Sequence, residues 1–91
     1  MSTVAMNQFG STLTDRADGK KAFREIFEKY RLPVTLDFKG VVSLGSSFGE
    51  EVILKIGPLQ NNEITILNTN SVMKNSIRRI IEDTDIIVIF S

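Results

Sequence analysis

The sequence predicts one α/β domain in which short strands alternate with three helices in the order β-α-β-α-β-α-β. Two observations carry that prediction. Apolar residues recur at helical spacing in Lys20–Tyr30 and Val72–Ile81, whereas Val34–Phe38, Glu63–Leu67 and Ile86–Phe90 alternate or run apolar over strand length. A helix then lies between each pair of strands, so strands two to four are expected to pair in parallel through right-handed crossovers. The whole is expected to be a four-stranded mixed sheet carrying three helices.

Taken in order, Thr3–Phe9 alternates weakly and reads as a marginal edge strand ending at Gly10. The polar stretch Ser11–Gly19 reads as a loop, with Asp15 or Asp18 capping the helix that follows. In that helix Ala22, Phe23, Ile26, Phe27 and Tyr30 form the apolar face, and Arg24–Glu28 and Glu25–Lys29 are spaced for ion pairs on the other. Pro33 closes the helical region. Val34, Leu36 and Phe38 alternate with Thr35 and Asp37 as a strand, and Val41–Leu44 continues extended.

Gly45-Ser46-Ser47 opens the second helix, whose apolar positions are Phe48, Val52, Ile53 and Ile56, and Gly57-Pro58 stops it. Glu63–Leu67 is the third strand. Asn68–Ser71 supplies the cap of the last helix, with Val72, Met73, Ile77, Ile80 and Ile81 inward and Lys74, Arg78 and Arg79 outward. The run Ile86–Phe90 is so apolar that it is expected to lie inside the sheet, buried on both faces.

Composition narrows the function. The chain has 91 residues, 42% hydrophobic and 24% charged, which suits one folded domain. Lysine plus arginine equals aspartate plus glutamate at 11 each, so no net charge draws the chain to nucleic acid or an anionic membrane. Cysteine and histidine are both absent, which removes thiolate nucleophiles, cysteine or histidine zinc sites and imidazole acid–base chemistry. A non-catalytic protein without cofactor or bound metal is expected. The first residues lack a basic segment followed by an apolar one, and no apolar run approaches the roughly 20 residues of a membrane helix. A cytoplasmic location follows as an expectation.

The segment Leu36-Asp37-Phe38 followed by Ser43-Leu44-Gly45-Ser46-Ser47-Phe48-Gly49-Glu50-Glu51 carries the function. A strand and two serines lead straight into a helix, where unpaired backbone N–H groups and the helix dipole favour negative charge. A phosphate on Ser46 or Ser47 would be stabilised there. Ser47-Phe48-Gly49-Glu50 also matches the capping box S-x-x-E, in which serine and glutamate satisfy each other's backbone donors. Cap, phosphorylation site and unmodified contact site all remain open at this point.

This strand, serine pair and helix resemble those of the STAS domains of anti-sigma-factor antagonists. The likeness is nearer to a branch of STAS-like domains, and runs through Phe9-Gly10, Asp15-Arg16-Ala17-Asp18-Gly19, Leu36-Asp37-Phe38, Ser46-Ser47-Phe48 and Leu67-Asn68. The resemblance implies a STAS-like fold and a regulatory protein-interaction module that acts on a histidine-kinase-type ATPase. It also implies a phospho-switch at Ser47. The family's aspartate before the serine pair and glycine after it are here Gly45 and Phe48.

The partner surface is accordingly expected to comprise Ser46, Ser47, Phe48, Glu50, Glu51, Asp37 and Arg16. Asp37, with no second metal-ligating residue in reach of the sequence pattern, is expected to bond the Lys39-Gly40 turn or the loop after Leu44. Arg16 either anchors its loop through the neighbouring carboxylates of Asp15 and Asp18 or contacts the partner. Lys74, Arg78 and Arg79 are the one compact basic cluster, too small for a nucleic-acid site and read as a solvated face. The alternative function is a small self-associating protein, monomeric or weakly oligomeric, whose outer strands leave an edge open.

Overall fold

In the computed structural model, which describes residues 2–91, four strands form one sheet: β1 (Ser2–Ala5), β3 (Val34–Asp37), β5 (Glu63–Leu67) and β6 (Ile87–Phe90). Every neighbouring pair is parallel, in the spatial order β1-β3-β5-β6. The sheet is therefore not mixed. Three helices connect these strands: α1 (Arg16–Lys29), α2 (Ser46–Ile56) and α3 (Ser71–Ile81).

The strand order advances in one direction, so right-handed crossovers bring all three helices to the same face. The core lies in that single interlayer. Val4, Leu36, Ile64 and Ile66 of the sheet meet Ala22, Ile26, Phe48, Val52, Ile53, Ile56, Met73 and Ile77 of the helices, all of them buried. The opposite face carries Thr3, Ala5, Glu63, Ile87 and Ile89 exposed, around a buried Thr35.

Two expectations about strands are corrected. The first strand ends at Ala5, and Met6–Phe9 turns into a 3-10 helix that buries Met6 while Gly10, at φ 129, bends the chain onward. The last strand is an edge strand with alternating exposure, Ile87 at 61% and Ile89 at 42%. Helices cover only one face, so the alternate side chains of β6 have nothing to pack against. The residue that is buried is Ile86, which sits against Gly57, where a Cβ would lie 2.8 Å from Ile86 Cδ1.

A second, two-stranded parallel pair joins β2 (Thr12–Leu13) to β4 (Ser43–Leu44). Each strand runs directly into a helix, β2 into α1 and β4 into α2, so the pair sets the two helix starts side by side. Gly45 N–H donates to Leu13 O at 2.8 Å, and a Cβ on Gly45 would come within 3.1 Å of Thr14. Helix α1 begins earlier than its apolar face suggests. Asp15 caps it, accepting from Ala17 N–H at 3.3 Å, and Gly19 lies inside its first turns. The reason for a glycine there is contact: a Cβ at Gly19 would stand 2.9 Å from Phe48 O.

At the opposite end of the sheet Gln60 ties two strands together. Its Oε1 accepts from Val34 N–H at 2.9 Å, and its Nε2 donates to Val34 O at 3.2 Å and Glu63 O at 2.8 Å. Among the described residues no helix is long and apolar enough to cross a membrane.

Candidate functional site

The start of α2 stands at the carboxyl end of the sheet, where parallel α/β folds gather their ligand-facing loops. Its N-cap is Gly45, which has no side chain to offer, and Ser46 and Ser47 are the first two residues of the helix proper. The capping box is thus not formed. Ser47 lies two residues past the N-cap, so its hydroxyl cannot take the capping position, and no side-chain cap hydrogen bond exists. Ser46 is exposed and Ser47 half-buried. Neither hydroxyl has a hydrogen-bond partner among the described residues, and the first backbone N–H groups of α2 are left without a side-chain acceptor.

Phe48, the next residue, is fully buried and packs in the core. It therefore positions the helix start and presents no surface. The turn is held from the other side by Arg16 at the start of α1. Its guanidinium reaches across to Glu50 Oε1 at 2.8 Å and Glu51 Oε2 at 2.7 Å. The expected carboxylate fork exists, but on α2 and not on Asp15 or Asp18. Glu51 also accepts from Lys55 Nζ at 2.6 Å, and Lys55 in turn lies 5.7 Å from the Phe23 ring on α1.

Glu51 is only 10% exposed at its side chain, so its two cationic partners answer the cost of that burial. Hydrogen bonds from Lys55 and then Arg16 hold its carboxyl below the usual glutamate range. Bonds to Glu50 and Glu51 raise the Arg16 guanidinium further above its already high value. Glu50 and Glu51 beside Ser47 thus both face the Arg16 guanidinium, and Glu51 also faces Lys55.

Asp37 ends β3. Its Oδ1 accepts from Asn68 Nδ2 at 2.8 Å and from the Lys39 backbone N–H at 3.0 Å, and these bonds, Asn68 first, hold its carboxyl below the usual aspartate range. The Lys39 bond matches the expected turn; the Asn68 bond ties the β3 and β5 ends together. Asn68 takes φ 59, a conformation asparagine tolerates well. Of the residues expected at the site, Arg16, Glu50 and Glu51 form one network beside Ser46 and Ser47, while Asp37 serves a separate one.

Two contributors were missed from the sequence. Lys55 stands four residues after Glu51, a spacing that signals an ion pair on any helix. Asn68 had no comparable signal, because its partner lies 31 residues away. Among the described residues no group of three or more potential ligands is placed to hold a metal ion. Comparison with protein families, characterised proteins and solved structures finds no match for this chain.

Proposed function

We propose that the chain is a STAS-like regulatory interaction module, without catalysis of its own, that meets a histidine-kinase-type ATPase through the first turn of α2. The supporting observation is a helix start without a side-chain cap, whose two serine hydroxyls have no hydrogen-bond partner among the described residues. Such a turn is rigid, since Phe48 anchors it from below and Arg16 clamps Glu50 and Glu51 beside it. A rigid surface pays less ordering entropy on binding than a mobile one.

The same geometry favours a phospho-switch at Ser47. Glu50 and Glu51 would repel a phosphate, but both already face Arg16, and Glu51 also faces Lys55. The backbone N–H groups of the first turn remain as donors for it. The lack of cysteine and histidine agrees with a module that recognises a partner and leaves the chemistry to it.

The test is calorimetric titration of the purified chain with histidine-kinase-type ATPases from its native host, for wild type and for Ser47→Asp. Saturable binding by wild type that Ser47→Asp weakens supports the proposal. Binding that is indifferent to Ser46 and Ser47 substitutions removes the α2 turn from the interface.

A further inference from the structure

The outer edge of β6 is open and undefended. Ile87 N–H donates to Asn62 O at 2.7 Å and Ser91 N–H to Ile66 O at 3.0 Å, so the odd-numbered residues bond inward to β5. Backbone groups alternate along a strand. Those of Val88 and Phe90 consequently point away from the sheet, where no further strand lies among the described residues. Natural edges are blunted by charge, proline or a bulge. From Ile86 to Ser91 there is no charged residue, no proline and no glycine. The other edge, β1, presents Ser2 and Thr3 and is less apolar.

The charges that flank β6 are unpaired and segregated by sign. Lys74 Nζ and the Arg78 guanidinium lie 5.7 and 5.5 Å from the Phe90 ring, at the end of the strand. Glu82, Asp83 and Asp85 precede its beginning and are exposed. None of these five residues forms an ion pair among the described residues. Each strand is thus basic at one end and acidic at the other.

We propose that β6 pairs antiparallel with β6 of a second copy, through the outward backbone groups of Val88 and Phe90, to make one continuous sheet across a two-fold axis. Antiparallel pairing sets the basic end of each strand against the acidic end of the other; parallel pairing would set like against like. With Val88 opposite the second copy's Phe90, all outward donors and acceptors of both residues are used. Ile89 then meets its own counterpart on the axis, in a pair without hydrogen bonds between them, where side chains stand closest. The interface is isologous and closes at two copies.

The experiment measures the mass of the purified chain by sedimentation from low micromolar to near-millimolar concentration, together with amide exchange. A monomer–dimer equilibrium is expected. Val88 and Phe90 amides should slow as concentration rises, while those of Ile87 and Ile89 stay protected throughout. Ile89→Lys, on the open face, should leave the circular dichroism unchanged and shift the equilibrium to monomer. Arg78→Glu and Asp85→Lys should each raise the dissociation constant several-fold, and a mixture of the two single variants should form a heterodimer in preference to either homodimer. A chain that stays monomeric throughout overturns the inference. So does a dimer that survives Ile89→Lys, a mixture with no preference for the heterodimer, or an open-ended series of oligomers.

Discussion

Arg16 and Glu51 join the first turn of α1 to the buried side of α2 through a 2.7 Å ion pair, with Glu51 almost enclosed and Arg16 half-exposed. The pair lies beside the serine turn and fixes its orientation. Burial makes the carboxylate dependent on its cations, whereas the guanidinium retains water on its outer side.

Acid lability is expected from this arrangement. Folded-state values of Glu51 and Asp37 are both depressed, so the unfolded chain binds more protons than the native one as the pH falls through the ordinary carboxylate range. Their contribution is complete above that range and is lost as pH drops through the lower, folded values. Denaturant unfolding across acidic pH should show stability falling with acid in wild type. A flatter profile is expected for Glu51→Gln combined with Asp37→Asn; an unchanged profile would assign the acid sensitivity elsewhere.

Helix caps distinguish the starts of α2 and α3, both of which open on small polar residues. Asn70 caps α3, its Oδ1 accepting from Met73 N–H at 2.8 Å, so Asn70→Ala is expected to cost about 0.5–2 kcal/mol. Ser47→Ala removes no cap and should stay within about 0.5 kcal/mol of wild type. Paired urea unfolding curves measure both. Equal losses at the two positions would restore a capping role to Ser47.

Ser47→Asp separates recognition from stability. Negative charge in the first turn of a helix is favourable by roughly 0.3–1 kcal/mol, so the variant should unfold no earlier than wild type. Affinity for the ATPase partner is expected to fall on the order of tenfold, since a partner fitted to a hydroxyl meets a carboxylate it must desolvate.

Gly19→Ala tests the close approach of α1 and α2. Helix propensity alone favours alanine by roughly 0.5–1 kcal/mol. Here the added methyl meets Phe48 O at 2.9 Å and Phe48 Cα at 3.1 Å, backbone atoms that cannot swing aside. The net effect is expected to be a loss of about 1–3 kcal/mol. A stabilised Gly19→Ala protein would show that the helices separate at little cost.

Gln60→Ala should cost about 1–3 kcal/mol, because it leaves the part-buried Val34 N–H without its acceptor. The Val34 amide should also exchange faster than that of Leu36 in the same strand. Thermal unfolding and exchange in parallel read both effects.

Much of the architecture was determined by the sequence alone, because helices and strands are written in local periodicity. The face Ala22-Phe23-Ile26 marks α1, the run Glu63–Leu67 marks β5, and Asp15 and the Asn68–Ser71 segment announce two caps within a few residues of where they act. Lateral position is different, since it depends on the order in which strands add to a sheet. Ile86–Phe90 is apolar enough for an interior strand, yet strand order puts it at the edge with helices on one face only. The serine turn follows the same division. Ser46 and Ser47 were legible as a helix start, but which residue capped it depended on β4 pairing with β2, which brings Gly45 against Thr14 and makes it the N-cap. Arg16 finding Glu50 and Glu51, and Asp37 finding Asn68, required helices and strand ends more than 30 residues apart to meet. Only the tertiary structure decides such partners, because a side chain's charge and reach are local properties while its neighbours are set by the packing of the whole chain.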